Sequence, residues 1–141
     1  MNIFNSQEEE NIMHAITVAE NHTSGEIRIC IEKKCPEDVI VQATKRFAEL
    51  NMHKTVLKNG VLIYLAIEDR KFAIIGDEGI NKKVPANFWE ETKDTMTSFF
   101  KAGKFVDGLV AGIDNAGTQL KIYFPRSDDD INELPNEVIY F

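Results

Sequence analysis

The residues best suited to chemistry in this sequence are two carboxylates and an amide that a predicted β-hairpin brings together. Asp77 and Glu78 lie between two glycines, and Asn59 is followed by a third glycine. Because the strands of a hairpin run antiparallel, the end of its second strand meets the start of its first. Calcium takes about six to eight ligands of this kind, from carboxylate, amide and backbone carbonyl oxygens. The pattern therefore predicts a divalent-cation site with Asp77, Glu78 and Asn59 among its ligands and calcium as the bound ion.

Asp77 also suits a structural role. A helix is predicted to begin near Glu78, and an aspartate at its start caps the helix by accepting backbone N–H bonds. The sequence contains no D-x-D-x-D-G calcium loop. The spacing therefore leaves a helix cap and a cation ligand as open alternatives for Asp77.

Other acidic residues are weaker candidates. Asp107 and Asp114 lie seven residues apart on one side of the last predicted helix, either as solvated charges or as contributors to the Asp77 site. Glu26 shares a strand face with Arg28, so an ion pair is expected, although Glu26 also begins its strand at the sheet end of the candidate site. The run at residues 128–130 is predicted to be a solvated turn, with cation binding as the alternative.

The composition argues against several partners. The 141 residues carry 16 Lys and Arg against 23 Asp and Glu, and the net charge of −7 repels nucleic acid and anionic membranes while favouring cations. No stretch approaches ~18 uninterrupted apolar residues, and the N-terminus lacks a basic region followed by an apolar run. We therefore expect a soluble, cytoplasmic chain without direct membrane insertion. Cys30 and Cys35 lack C-x-x-C spacing, so free thiols are expected.

The hydrophobic periodicity predicts one domain over residues 1–141. Seven consecutive apolar residues at 61–67 predict a strand covered on both faces, and residues 71–75 return antiparallel to it. The alternation over Glu26–Glu32 predicts a strand parallel to residues 61–67, with one face less deeply buried and an outer position in the sheet.

Helices are predicted around these strands, and the tail at residues 126–141 is acidic and then apolar. The last five residues of the tail are expected to dock or to add an edge strand. The predicted helices are residues 6–21 with a capping box of Ser6 and Glu9, a helix from Pro36 to about residue 51, a short helix or turn at 80–84, residues 88–102, and residues 105–123.

Six short motifs are spread over nearly the whole chain. They are T-S-G-E-I-R (residues 23–28), M-H-K-T (52–55), N-G-V-L-I-Y (59–64), R-K-F-A-I-I-G-D-E-G-I (70–80), F-W (88–89) and N-E-L-P-N-E (132–137). With these motifs the chain resembles the TPM domain family, and in particular a bacterial subgroup of it. The resemblance implies an α/β fold, a three-layer α/β/α sandwich in which a small twisted mixed sheet of three to four strands is flanked by helices.

The resemblance also implies functions. Divalent-metal binding, often of calcium, is implied, and more faintly the acid phosphatase activity proposed for plant relatives. An acidic residue often precedes the equivalent of Gly108 in relatives, which favours Asp107 as a fourth metal ligand. Many relatives carry a signal peptide or a membrane helix. If the chain is a protein-interaction domain, we expect its tail to dock onto a membrane-associated protein partner.

Common catalytic motifs are missing from the sequence, which has no G-x-S-x-G, P-loop, G-x-G-x-x-G or H-E-x-x-H pattern. A metal-assisted phosphatase would also need basic groups to hold phosphate, and Lys58 is the nearest candidate. We therefore favour a calcium-binding module that binds partners or supports their assembly. The alternatives are a weak metal-dependent acid phosphatase and a metal-independent protein-interaction domain.

Overall fold

The computed structural model describes residues 3–126, 134 and 136–141, so the acidic run at residues 128–130 lies outside the described residues. The strands are β1 (Glu26–Glu32), β2 (Gly60–Ala66), β3 (Lys71–Gly76) and β4 (Ile139–Tyr140). The helices are α1 (Ser6–Glu20), α2 (Val39–Glu49), α3 (Glu78–Asn81), α4 (Glu90–Lys101) and α5 (Phe105–Tyr123), with a single 3₁₀ turn at Met52–Lys54.

The four strands form one mixed sheet in the order β3-β2-β1-β4. β1 and β2 are parallel, with Glu26 paired to Gly60, and α2 lies in the connection between them. β2 and β3 form the predicted antiparallel hairpin, in which Val61 pairs with Gly76. β4 pairs in parallel with β1, so the apolar end of the tail adds an edge strand.

Helices cover both faces of the sheet, which confirms the expected α/β/α sandwich. α1, α4 and α5 pack on the face that carries Ile27, Ile29 and Ile31 of β1. α2 and the 3₁₀ turn cover the opposite face, where Cys30 and Tyr64 are buried. β2 is buried along its whole length, as its unbroken apolar sequence requires. Among the described helices, none is long and apolar enough to cross a membrane.

The predicted outer position of β1 is wrong. β1 lies between β2 and β4, and all seven of its residues are buried. The polar members of its alternating pattern, Glu26, Arg28 and Glu32, lie on the α2 face, where they are covered by protein instead of water. Alternation usually marks a solvated face, but here it marks a polar layer inside the molecule.

The capping box of α1 lies one residue earlier than predicted. The side chain of Asn5 accepts the N–H of Glu8 at 2.8 Å, and the Glu8 carboxylate accepts the N–H of Asn5 at 2.9 Å. Ser6 is therefore the first helical residue and not the cap. Asn and Ser are both good caps, so the pattern could not choose between adjacent positions.

The starts of α2 and α4 also differ from the prediction by a few residues. α2 begins at Val39 instead of Pro36, because Asp38 is its cap and accepts two backbone N–H bonds. α4 begins at Glu90, directly after Trp89, which occupies the cap position. α5 has the predicted bounds.

Candidate cation site and neighbouring polar clusters

Asp77 links the end of β3 to the start of α3. Its backbone N–H donates to the carbonyl oxygen of Gly60 at 3.0 Å, and its Oδ1 accepts the N–H of Glu78 at 2.8 Å. The capping role considered for Asp77 is therefore present in the structure. Its second carboxylate oxygen, Oδ2, is buried and has no hydrogen-bond partner among the described residues. Capping accounts for only one of the two oxygens.

Backbone carbonyl oxygens come close to the first turn of α3. A Cβ placed on Gly79 would lie 2.3 Å from the carbonyl oxygen of Leu57 and 2.5 Å from that of Lys58. This close approach explains why glycine occupies position 79, since a side chain would collide with main chain. The loop before β2 and the acidic start of α3 therefore meet, and both supply oxygen atoms.

Asn59 and Glu78 lie on either side of this junction. The Asn59 side chain is buried, and its Nδ2 donates to the carbonyl oxygen of Ser24 at 2.8 Å. The Asn59 carbonyl oxygen accepts the N–H of Glu26 at 3.2 Å. Asn59 thus ties the starts of β1 and β2 together, whereas Glu78 is exposed at the surface. The hairpin brings Asn59, Asp77 and Glu78 to one end of the sheet.

Asp107 is placed apart from the other three candidates. It is exposed in the first turn of α5 and lines a cavity together with Ile67, which follows the C-terminal end of β2. Asp77 instead pairs with the N-terminal end of β2, and a strand of this length spans about 20 Å. The structure therefore does not bring Asp107 to the Asp77 site. Within the described residues, no group of three or more His, Cys, Asp or Glu side chains is arranged to hold a metal ion.

Glu26 and Arg28 do not form the ion pair predicted for them. The Glu26 carboxylate accepts the N–H of Leu134 at 2.7 Å, so it anchors the C-terminal tail. Arg28 is 7% exposed, and its Nε has no hydrogen-bond partner within residues 3–126, 134 and 136–141. Burial lowers the pKa of Arg28, while the nearby charge of Glu137 acts in the opposite direction. Residues of the C-terminal tail therefore interact with Glu26 and Arg28 on the α2 face. The strand pattern could not predict the position of this tail.

Glu20, at the end of α1, is a buried acid that sequence reasoning missed. Its Oε2 accepts the N–H of Ile27 at 2.9 Å. Burial raises the pKa of the Glu20 carboxyl to about 7; the charge of Glu26 raises it further, and the Ile27 bond and Arg126 partly offset the increase. A helical pattern places Glu20 one position after a buried alanine, but nothing in it indicates burial of the carboxyl group.

The raised pKa of Glu20 predicts a pH-dependent stability. The folded-state pKa of Glu20 lies above the ordinary 4.5, so the protonated carboxyl group stabilises the folded state. This stabilisation is fully present below pH 4.5 and is lost as pH rises through about 7. We expect the free energy of unfolding of the wild type to fall by about 2 kcal/mol between pH ~5 and ~8 through this group. Urea unfolding at both pH values measures the change.

Two variants isolate this effect. Glu20→Gln should flatten the pH dependence, because the amide cannot ionise, whereas the exposed Glu10→Gln should leave it as in the wild type. The groups facing Glu20 are Glu26, Arg126 and Asn136, and none of them is changed in either variant. If the free energy of unfolding depended on pH equally in Glu20→Gln and in the wild type, the attribution of the pH dependence to Glu20 would be wrong.

Glu32 is the centre of a second polar cluster, on the α2 face of the sheet. Its Oε1 accepts hydrogen bonds from Gln42 at 3.0 Å, from Tyr64 Oη at 2.9 Å and from Arg46 Nε at 2.9 Å. Arg46 Nη2 donates to Oε2 at 3.0 Å, so the arginine binds both carboxylate oxygens. The Arg46 guanidinium also lies 4.0 Å from the centre of the Phe141 ring.

The Glu32 cluster holds a charged group inside the protein. Burial acts to raise the pKa of Glu32, but hydrogen bonds from Arg46, Gln42 and Tyr64 outweigh it and lower the pKa overall. Burial and the Glu32 carboxylate together raise the pKa of Tyr64. The cluster therefore contains an ionised carboxylate and a neutral phenol, which is the arrangement of a structural network.

Both cysteines are free, as predicted. Cys30 is buried within β1, and burial raises the pKa of its thiol to about 12. Cys35 is also buried, and its Sγ lies 3.1 Å from the carbonyl oxygen of Glu37. The two thiols are held in different surroundings. Lys58, the residue considered for phosphate binding, donates its Nζ to the carbonyl oxygen of His53.

A small mixed sheet between two helical layers, with a capped acidic turn beside the start of β2, defines a compact α/β domain. The chain belongs to the TPM domain family, because the TPM domain model matches residues 1–119. It is 46% identical to the BA42 protein of the psychrophilic bacterium Bizionia argentinensis, whose NMR structure superimposes with a TM-score of 0.94 over 99% of this chain and 97% of that one.

Two more distant structures share the fold. One is the N-terminal domain of the cg2496 protein of Corynebacterium glutamicum, at 12% identity and a TM-score of 0.67, covering 97% of this chain and 80% of that one. The other is the N-terminal domain of a protein from P. gingivalis, at 16% identity and a TM-score of 0.70, covering 87% and 80%. None of the curated proteins compared with the chain matches it significantly.

Proposed function

We propose that this TPM-domain chain is a calcium-binding module whose cation site lies at Asp77. The observation that carries the proposal is the buried Oδ2 of Asp77, for which the part of the chain that the structure describes offers no hydrogen-bond partner. A carboxylate oxygen removed from water without a partner is costly, and a bound cation would compensate it. The further candidate ligands are the carboxylate of Glu78, next in the chain, and the carbonyl oxygens of Leu57 and Lys58, which lie beside Gly79.

The ligand chemistry fits calcium better than a transition metal. The candidate donors are all oxygens, which suits hard cations, and neither cysteine is near this turn in the sequence. Only two carboxylates, Asp77 and Glu78, are proposed, so we expect affinity in the weak range of ~10⁻⁴–10⁻³ M. Asn59 is a supporting residue in this proposal, because its Nδ2 is already bonded to Ser24.

Calcium would act by joining two segments that already touch. The ion would connect the loop at Leu57 and Lys58 to the start of α3, and would neutralise the two carboxylates there. Such a change in order and charge suits a module that binds a protein partner or supports its assembly. We propose this role ahead of phosphatase activity.

We predict that Asp77→Asn weakens calcium binding at least about ten-fold. Asparagine caps a helix about as well as aspartate, so the free energy of unfolding without calcium should change by less than about 0.5 kcal/mol. The measurement is a calcium titration followed residue by residue in NMR spectra, in which the shifts should centre on residues 57–60 and 76–79.

Two controls locate the site. Asp107→Asn should bind calcium like the wild type, since Asp107 lies near the other end of β2. Asp94→Asn, an exposed change on α4, should also have no effect. The proposal fails if the wild type gives no response at millimolar calcium, or if Asp77→Asn binds as tightly as the wild type.

A further inference from the structure

A long groove separates α1 and α5 on the surface away from the sheet. Its central cavity has a volume of about 660 Å³. The apolar floor consists of Phe99 of α4 and of five small or branched side chains, Ala15 and Val18 from α1 and Val106, Val110 and Ala111 from α5. We call these five residues the α1–α5 groove. Val18 is 39% exposed, a large fraction for an aliphatic residue.

The packing of the two helices explains the groove. α1 and α5 run side by side, and at one end they are in close contact, because a Cβ on Gly117 would lie 2.8 Å from that of Ala19. Towards the helix N-termini the outer surface between α1 and α5 opens into the cavity, which is lined there by Asn11 and Ala15 of α1 and by Val106 and Val110 of α5. The groove is therefore held open by the core packing of both helices.

Two acidic side chains lie along the groove. Asp107 and Asp114 both line the central cavity, and both are exposed. Seven residues apart on a helix, they are separated by about 10.5 Å along its axis. Within the described residues, neither carboxylate takes part in an ion pair. The cavity lining includes no Lys or Arg, and its one basic side chain is His14 of α1. The groove thus combines an apolar floor with two carboxylates that are not held in ion pairs.

The groove fits a helix better than an extended peptide. Its walls are helices whose backbone groups are already paired, so they offer no strand edge to an extended chain. A helix satisfies its own backbone hydrogen bonds and can present an apolar face to an apolar floor. The small side chains of Ala15 and Ala111 allow close approach of a third helix.

We infer that the α1–α5 groove binds an amphipathic helix of a partner protein, with apolar residues over the floor and Lys or Arg residues seven apart facing Asp107 and Asp114. The seven-residue spacing repeats every two turns, so one face of the helix can meet both carboxylates. A second copy of this chain is a poorer partner, because each copy carries a net charge of −7.

A synthetic peptide tests the inference. The probe is a helix of about 18 residues with Leu and Ala on one face and Lys at two flanking positions seven apart, and the matched peptide carries Glu at those two positions. Titration in EDTA removes any contribution from the proposed calcium site. We expect the Lys peptide to shift NMR signals of α1 and α5 around the groove, and to bind at least about ten-fold more tightly than the Glu peptide.

Substitutions identify the surface. Asp107→Asn combined with Asp114→Asn should weaken binding of the Lys peptide about ten-fold, and both positions are exposed, so folding should be retained. Asp94→Asn, on the surface of α4, should leave binding unchanged. No binding of the Lys peptide at millimolar concentration, equal binding of both peptides, or shifts outside the groove would each overturn the inference. Self-association abolished by the double variant would assign the groove to a second copy instead.

Discussion

Replacing Glu32 by alanine is expected to lower the free energy of unfolding by about 3–5 kcal/mol. The substitution removes the shared acceptor of Gln42, Arg46 and Tyr64. It leaves the guanidinium of Arg46 with the exposed Glu49 as its remaining carboxylate partner. An uncompensated charge or polar donor inside the protein costs more than the bond that was lost. Urea unfolding of the wild type and the variant measures the difference.

The exposed pair of Glu37 and Lys45 is the matched control. Its atoms lie 2.7 Å apart, closer than those of the Glu32 pair, but the two side chains are 36% and 56% exposed. Glu37→Ala should therefore cost less than about 1 kcal/mol, because water replaces the partner. If Glu32→Ala proved no more destabilising than Glu37→Ala, the structural importance of the cluster would have to be abandoned.

The substitution Gly79→Ala is expected to destabilise the domain by about 3 kcal/mol, the upper part of the range for overpacking. The new Cβ would meet the carbonyl oxygens of Leu57 and Lys58 at 2.3 and 2.5 Å, and these are main-chain atoms that cannot move without shifting the loop. The same shift should weaken calcium binding, since it separates the loop from Asp77. Thermal unfolding and calcium titration of one sample test both effects.

A second glycine provides the control. A Cβ on Gly112, in α5, would also lie 2.5 Å from its nearest neighbour, but that neighbour is the side-chain sulfur of Met96. Met96 is fully buried and its Cγ would also lie 2.7 Å from the new Cβ, but its side chain can repack without moving main chain, and alanine is a better helix former than glycine. Gly112→Ala should therefore cost clearly less free energy of unfolding than Gly79→Ala. Similar costs at both positions would refute the argument from backbone contact.

The local features of the fold follow well from the sequence. The apolar run of β2 predicted a strand covered on both faces, and the short turn after it predicted the hairpin that brings Asn59 beside Asp77. The cap at Asp77 was also an alternative that the sequence itself offered. These features depend on neighbours a few residues away, and for this reason local patterns describe them.

The distant features could not be predicted in the same way. The position of β1 depends on β4, and the partners of Glu32 come from α2 and from Tyr64 of the neighbouring strand. Helical periodicity placed Asp107 correctly on the rim of an apolar stripe, but it cannot show which end of the sheet the start of α5 approaches. Burial of Glu20 likewise depends on packing between separate elements.

The pairing of β1 with β4 has a consequence for how the protein folds. Cys30 pairs with Ile139 and Ile31 with Tyr140, so strands more than a hundred residues apart must meet to complete the sheet. Pairings of such high contact order form slowly, because a long loop loses entropy before any contact is gained. Until β4 arrives, one edge of an interior strand rich in isoleucine is open to pairing with another chain. Once formed, the two-residue strand β4 covers this edge at Cys30 and Ile31, so we expect loss of β4 to favour aggregation.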